Sequence, residues 1–95
     1  MAQIRERQLL EAPPGEATLL RLATARLAEA GNPVNLNVPN LWLKYGEEVD
    51  LLTIRFVEHP RPNRCTSDLD AGVLYNYEDE NLVSVEILDI TERYC

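Results

Sequence analysis

Few residues in this chain could do chemistry. His59 is the only imidazole, and it stands in the stretch Glu58-His59-Pro60-Arg61-Pro62-Asn63, whose two prolines rule out a central strand and mark a solvated loop. Two thiols are present, Cys65 and Cys95. A thiolate nucleophile forms beside a base or a cation, so His59 with Cys65 is the one pairing that could support covalent catalysis. A loop histidine and a strand thiol is the stronger reading. No phosphate loop, dinucleotide fingerprint, nucleophile elbow or metal-binding histidine pair occurs. The expectation is therefore a protein that is not an enzyme. Two cysteines are not a disulfide framework, and both are expected as free thiols, too few to close a zinc site.

What remains is carboxylate chemistry. Asp68 and Asp70 are two apart and would face the same way on a strand, while Glu78, Asp79 and Glu80 crowd one turn. Calcium takes about six to eight oxygens in a longer, defined loop, so no metal site and no cofactor is expected. Glu86 and Asp89 have opposite parity along one strand and should not act as an acid–base pair.

The distribution of charge says more than its sum of −7. Residues 1–65 hold eight acids and eight bases. Residues 66–92 hold eight acids, Asp68, Asp70, Glu78, Asp79, Glu80, Glu86, Asp89 and Glu92, and no Lys or Arg. A surface of one sign repels nucleic-acid backbones and attracts a basic protein. Solubility alone would be an equally simple use for the charge. Glu78, Asp79, Glu80, Glu86 and Asp89 are the candidate partner-binding residues. The rival expectation is a homo-oligomeric structural subunit that associates through sheet edges. Trp42, Tyr75 and Tyr77 read as core or sheet-face residues, because base stacking would also need a basic groove. No apolar run approaches the roughly 18–20 residues that span a bilayer. Met1 to Arg7 lacks the apolar core of a signal peptide, so the expected location is the cytoplasm, with no membrane partner.

The elements that must position these residues follow from periodicity. Ninety-five residues, 45% of them hydrophobic, suit one domain. Residues 1–12 fit no clear period, and disorder is one reading of them. Pro13-Pro14-Gly15 breaks the chain. Residues 16–30 are helical, with Leu19, Leu20, Ala23, Leu27 and Ala30 in one arc. Gly31 is placed to cap that helix in the left-handed conformation.

Beyond Pro33 the period becomes two, and residues 34–90 form the β region. Residues 34–38 alternate as a half-buried strand, 41–45 form a second, and 49–57 a third with Leu52, Ile54 and Phe56 on one face. A short strand near Cys65 follows. Residues 73–77 and 82–90 then make a hairpin, with Val73, Tyr75 and Tyr77 sharing a face and Val83, Val85 and Ile87 sharing another. The expected fold is α+β: one N-terminal helix packed on a four- to five-stranded, mostly antiparallel meander sheet. The helix supplies the apolar stripe that such a sheet needs on one face.

Two runs carry a family resemblance. The first is Tyr45, Glu47, Glu48, Asp50, Leu51, Leu52, Thr53, Ile54, Arg55 and Phe56. The second is Leu82, Val83, Ser84, Val85, Glu86, Ile87, Leu88 and Asp89, preceded by Tyr75 and Tyr77. Together they resemble the small bacterial domains of unknown function numbered 2283, over about residues 41–90. Thr53 replaces the family's usual aromatic, Ser84 its usual glycine, and the turn at 78–81 is one residue short. Members of that family look like small antitoxin-type proteins encoded beside toxins. The resemblance thus implies an antitoxin- or inhibitor-like protein, and it brings no catalytic residue.

Overall fold

The structure, a computed structural model, describes residues 15–31 and 34–91. The readings made for residues 1–12 and Cys95 lie outside them. One helix, α1 (Glu16–Glu29), precedes five strands, β1 (Trp42–Gly46), β2 (Leu51–Arg55), β3 (Arg64–Asp68), β4 (Val73–Glu78) and β5 (Asn81–Leu88). Every pairing is antiparallel, and the strands form one sheet in the order β1-β2-β5-β4-β3. This is the expected α+β arrangement. It consists of the β1–β2 hairpin and the β3–β4–β5 meander, joined where β2 pairs with β5. Residues 56–63 carry the chain from beside the sheet's centre to its far edge.

Helix α1 ends as its sequence requires. Gly31 adopts φ 73 and donates its N–H to Ala28 O at 3.1 Å. Leu19, Ala23 and Leu27 are buried in one cluster with Leu52 and Ile54 of β2, Val73 and Tyr75 of β4, and Val85 and Ile87 of β5. Such burial contributes roughly 1.5–3 kcal/mol per large aliphatic side chain. The helix is turned relative to the expected arc. Leu20 is only half-buried, whereas Leu22 packs on the cluster and Arg26 is fully buried. The buried arc is thus rotated by about 40°.

Two strand readings need correction. Residues 34–38 form no strand. Val34 and Leu36 do turn toward the core, but Asn35 Oδ1 accepts the Asn37 N–H at 2.9 Å, a local bond that competes with a ladder. In β5, Tyr77 pairs with Leu82 and Asn76 with Ser84, which leaves Val83 as the extra residue of a bulge. Leu82 therefore takes the place on the core face that strict alternation assigned to Val83. Val83 is buried outside that cluster, and its carbonyl accepts the N–H of Phe56 at 2.9 Å.

Candidate functional site

The β4–β5 turn is tied to the 56–63 loop. Asp79 adopts φ 58, a left-handed conformation that short polar side chains tolerate. Asn63 and Asp79 bond reciprocally: Asn63 Nδ2 donates to Asp79 Oδ1 and Asp79 N donates to Asn63 Oδ1, both at 3.0 Å. Arg61 N donates to Glu78 Oε1 at 3.4 Å, and Arg64 Nη2 to the Asp79 carbonyl at 3.4 Å. Glu80 is exposed beside them. The acids of this turn thus share their end of the sheet with Arg55, Arg61 and Arg64, and with His59, which contacts Glu58 at 3.8 Å.

Glu86 lies midway along β5, on the face turned away from α1, where it accepts from Asn76 Nδ2 at 3.0 Å. Asp89 follows the far end of β5. Eight strand residues at roughly 3.3 Å each separate it from the turn by about 26 Å. The structure therefore groups Glu78, Asp79 and Glu80, and sets Glu86 and Asp89 apart from them.

At the Asp89 end, three segments meet: the β1–β2 turn, the β3–β4 turn and the exit from β5. Leu88 N donates to Gly72 O at 2.8 Å, and Ile90 N to Asp50 O at 3.1 Å. This end gathers Glu47 and Glu48 from the charge-balanced part of the sequence with Asp70 and Asp89, all four exposed. Two buried polar groups organise it. The carboxylate of Asp50 accepts from Tyr45 Oη at 2.7 Å, from Thr91 Oγ1 at 2.9 Å and from Thr91 N at 3.2 Å. Burial, and then the adjacent Asp50 carboxylate, push the Tyr45 hydroxyl up to about 12.

The second group is Arg26. Its Nη1 donates to Leu88 O at 2.6 Å and Ala71 O at 3.2 Å, and its Nη2 donates to Asp89 O at 2.7 Å and Ile90 O at 3.3 Å. A planar guanidinium with several fixed donors suits such a cradle of carbonyls. It also places a cation beneath the acidic end. The sequence reading missed Arg26 and Gly72, and named Tyr45 and Asp50 only as part of the family resemblance, without a role. The signal for Arg26 was its place between Ala23 and Leu27 on the helix, which an apolar count passes over.

Cys65 is exposed on β3 and borders an open depression of about 330 Å³ with Pro62, Asn63, Arg64 and Asn76. Its sulfur lies 3.6 Å from the Thr66 carbonyl, and the exposed His59 ring lies 3.8 Å from the Glu58 carboxylate. Among the described residues no group of three His, Cys, Asp or Glu side chains converges as metal ligands would. No helix among them is long and apolar enough to cross a membrane.

The family described as "Protein of unknown function (DUF2283)" matches residues 42–90, just over half of the chain. The chain belongs to this family. Neither a curated protein nor a solved structure matches it. The DUF2283 match opens at the first residue of β1 and closes at Ile90, so it spans all five strands and omits α1. In this DUF2283 protein the four carbonyls that Arg26 engages lie inside the matched region, and Arg26 itself lies outside it.

Proposed function

We propose that this DUF2283 protein is a small acidic protein-binding module, antitoxin- or inhibitor-like, that engages a basic protein partner. The observation that supports the reading is the exposure of Glu47, Glu48, Asp70 and Asp89 at one end of the sheet. Among the described residues, the 47–50 and 69–72 turns that carry three of them contain no arginine or lysine. The Glu78-Asp79-Glu80 turn is the second acidic patch, with Arg61 and Arg64 close by. Long-range attraction of this kind speeds encounter and rejects like-charged partners more than it adds affinity. A cytoplasmic setting is part of the reading, in keeping with the exposed free thiol of Cys65.

The test is kinetic. A partner captured from the native cell should associate more slowly as the Debye length shrinks from about 10 Å at 0.1 M salt to about 3 Å at 1 M. Two neutralised variants then separate the patches. Glu47→Gln with Glu48→Gln and Asp70→Asn treats one end, and Glu78→Gln with Asp79→Asn and Glu80→Gln the other. Asparagine keeps the left-handed backbone at position 79 accessible. The first set should slow association more than the second. If both variants bind at the wild-type rate in low salt, the acidic surface does not recognise the partner and the reading fails.

A further inference from the structure

Among the described residues both edges of the sheet are open, β1 on one side and β3 on the other. The two edges differ in what they would do to a strand laid against them. β1 carries an exposed lysine, Lys44, at its centre. Two copies of β1 paired antiparallel about that residue would set lysine opposite lysine, which is destabilising, and edge lysines commonly guard against strand addition. β3 has no such guard. Its five residues contain neither proline nor lysine, its register with β4 runs unbroken from Arg64↔Tyr77 to Asp68↔Val73, and four of the five are exposed.

The charges of β3 stand at its two ends and have opposite signs. We propose that β3 is a self-complementary edge at which two copies of this chain pair antiparallel about a two-fold axis at Thr66. The result is one continuous ten-stranded sheet. In this register Arg64 faces Asp68 of the second copy, and by symmetry Asp68 faces its Arg64. Cys65 faces Ser67, and Thr66 faces its own counterpart, a favourable cross-strand pair. Moving the axis to Cys65 removes both charge pairs, and moving it to Ser67 leaves Arg64 facing only Asp70, which lies beyond the strand in the β3–β4 turn.

Arg64 and Asp68 already lie on the same face, since their register partners Tyr77 and Val73 both turn toward the core. Each also has partners within its own chain, which it would have to share: the Arg64 guanidinium stacks over the Tyr77 ring, 4.3 Å from its centroid, and donates to the Asp79 carbonyl at 3.4 Å, and Asp68 Oδ1 accepts the Ala71 N–H at 3.2 Å. Leu69, 72% exposed, is the next residue beyond Asp68 and falls beside Asn63 of the second copy, where pairing shields it from water.

The contact is small and each copy carries a charge of −7, so the association is weak and concentration-dependent, below the roughly 1,200 Å² of a standard interface. It is independent of the acidic-surface reading: none of its residues belongs to either set neutralised to test that reading.

The test is a charge swap read by sedimentation velocity up to about 1 mM chain. The wild type should show a monomer–dimer equilibrium. Arg64→Asp alone and Asp68→Arg alone each place like charges opposite one another twice per dimer, and should raise the dissociation constant at least about tenfold. The double variant restores both pairs and should return to within about threefold of the wild type. Any damage to folding would persist in the double variant, so recovery can come only from pairing. A second readout uses Ser67→Cys with Cys95→Ser. Facing residues in an antiparallel pair have Cα atoms about 4.5–5.5 Å apart, within disulfide reach, so mild oxidation should link Cys65 to position 67 of the second copy. A wild type that stays monomeric, a double variant no better than the single ones, or the absence of that crosslink overturns the proposal.

Discussion

A β-carbon at Gly72 would stand 3.3 Å from Arg26 Nη1 and 3.4 Å from the Leu88 carbonyl. The helix and the β3–β4 turn are therefore shaped to each other. A larger residue would press on the guanidinium and the Leu88 carbonyl, and the turn's φ of 71 at position 72 is itself one that glycine adopts readily. A charged residue of α1, outside the matched part of the chain, thus organises backbone inside it.

Removing Arg26 is expected to cost as much as removing a large core side chain. Arg26→Met keeps much of the volume but withdraws the donors from the carbonyls of Ala71, Leu88, Asp89 and Ile90. A buried acceptor left without a donor costs about 1–3 kcal/mol, so a loss of at least about 3 kcal/mol is expected in urea unfolding. A loss below about 1 kcal/mol would mean that water satisfies the cradle equally well.

Gly72→Ala should destabilise by about 1–3 kcal/mol, combining left-handed strain with the approach to Arg26. In an Arg26→Met background only the backbone part should remain, about 1–2 kcal/mol. A double-mutant cycle measures the difference. Strict additivity would show that the two residues do not meet.

Leu27→Ala should cost about 2–5 kcal/mol, because Leu27 is 1% exposed in the core. Leu20 is half-buried, so Leu20→Ala should cost distinctly less. Equal losses from thermal or urea unfolding would place the helix in the orientation that the apolar arc alone implies.

Tyr45 gives a prediction for alkaline pH. Its folded hydroxyl is raised from an ordinary 10.0 to about 12, so the folded state holds this proton more tightly than the unfolded state does. Its contribution to stability is complete below pH 10 and is lost as the pH rises through about 12. Stability of the wild type should fall more steeply across that window than stability of Tyr45→Phe. Parallel curves would show that the Tyr45–Asp50 bond carries no such linkage. Tyr75, also raised by burial, titrates in both proteins and cancels in the comparison.

Several elements were legible because each is encoded within a few neighbouring residues. The 3.6-residue period with Gly31 marks α1, and the alternation of Leu52, Ile54 and Phe56, and of Val73, Tyr75 and Tyr77, marks two strands and their core faces. The Val83 bulge escaped because neither glycine nor proline announces it, and alternation counted through it reverses the face of everything beyond. Residues 34–38 misled for a related reason. Their alternation correctly gives the facing of Val34 and Leu36, but a strand also needs a hydrogen-bonded neighbour, which alternation does not guarantee.

By itself, then, the sequence determined the class of the fold, the helix and most strand positions, the family, and the one-sided charge of residues 66–92. Tertiary structure decided what those charges stand beside. Strand order is set by pairing between distant segments, and the insertion of β5 between β2 and β4 places Glu47 and Glu48 at the same end as Asp70 and Asp89. The pairing of β3 with β4 brings Arg61 and Arg64 to the Glu78–Glu80 turn. The burial of Arg26 was likewise a tertiary outcome. An arginine enters a core only where enough acceptors converge to replace water, and the four carbonyls that do so come from two segments that meet only in the folded chain.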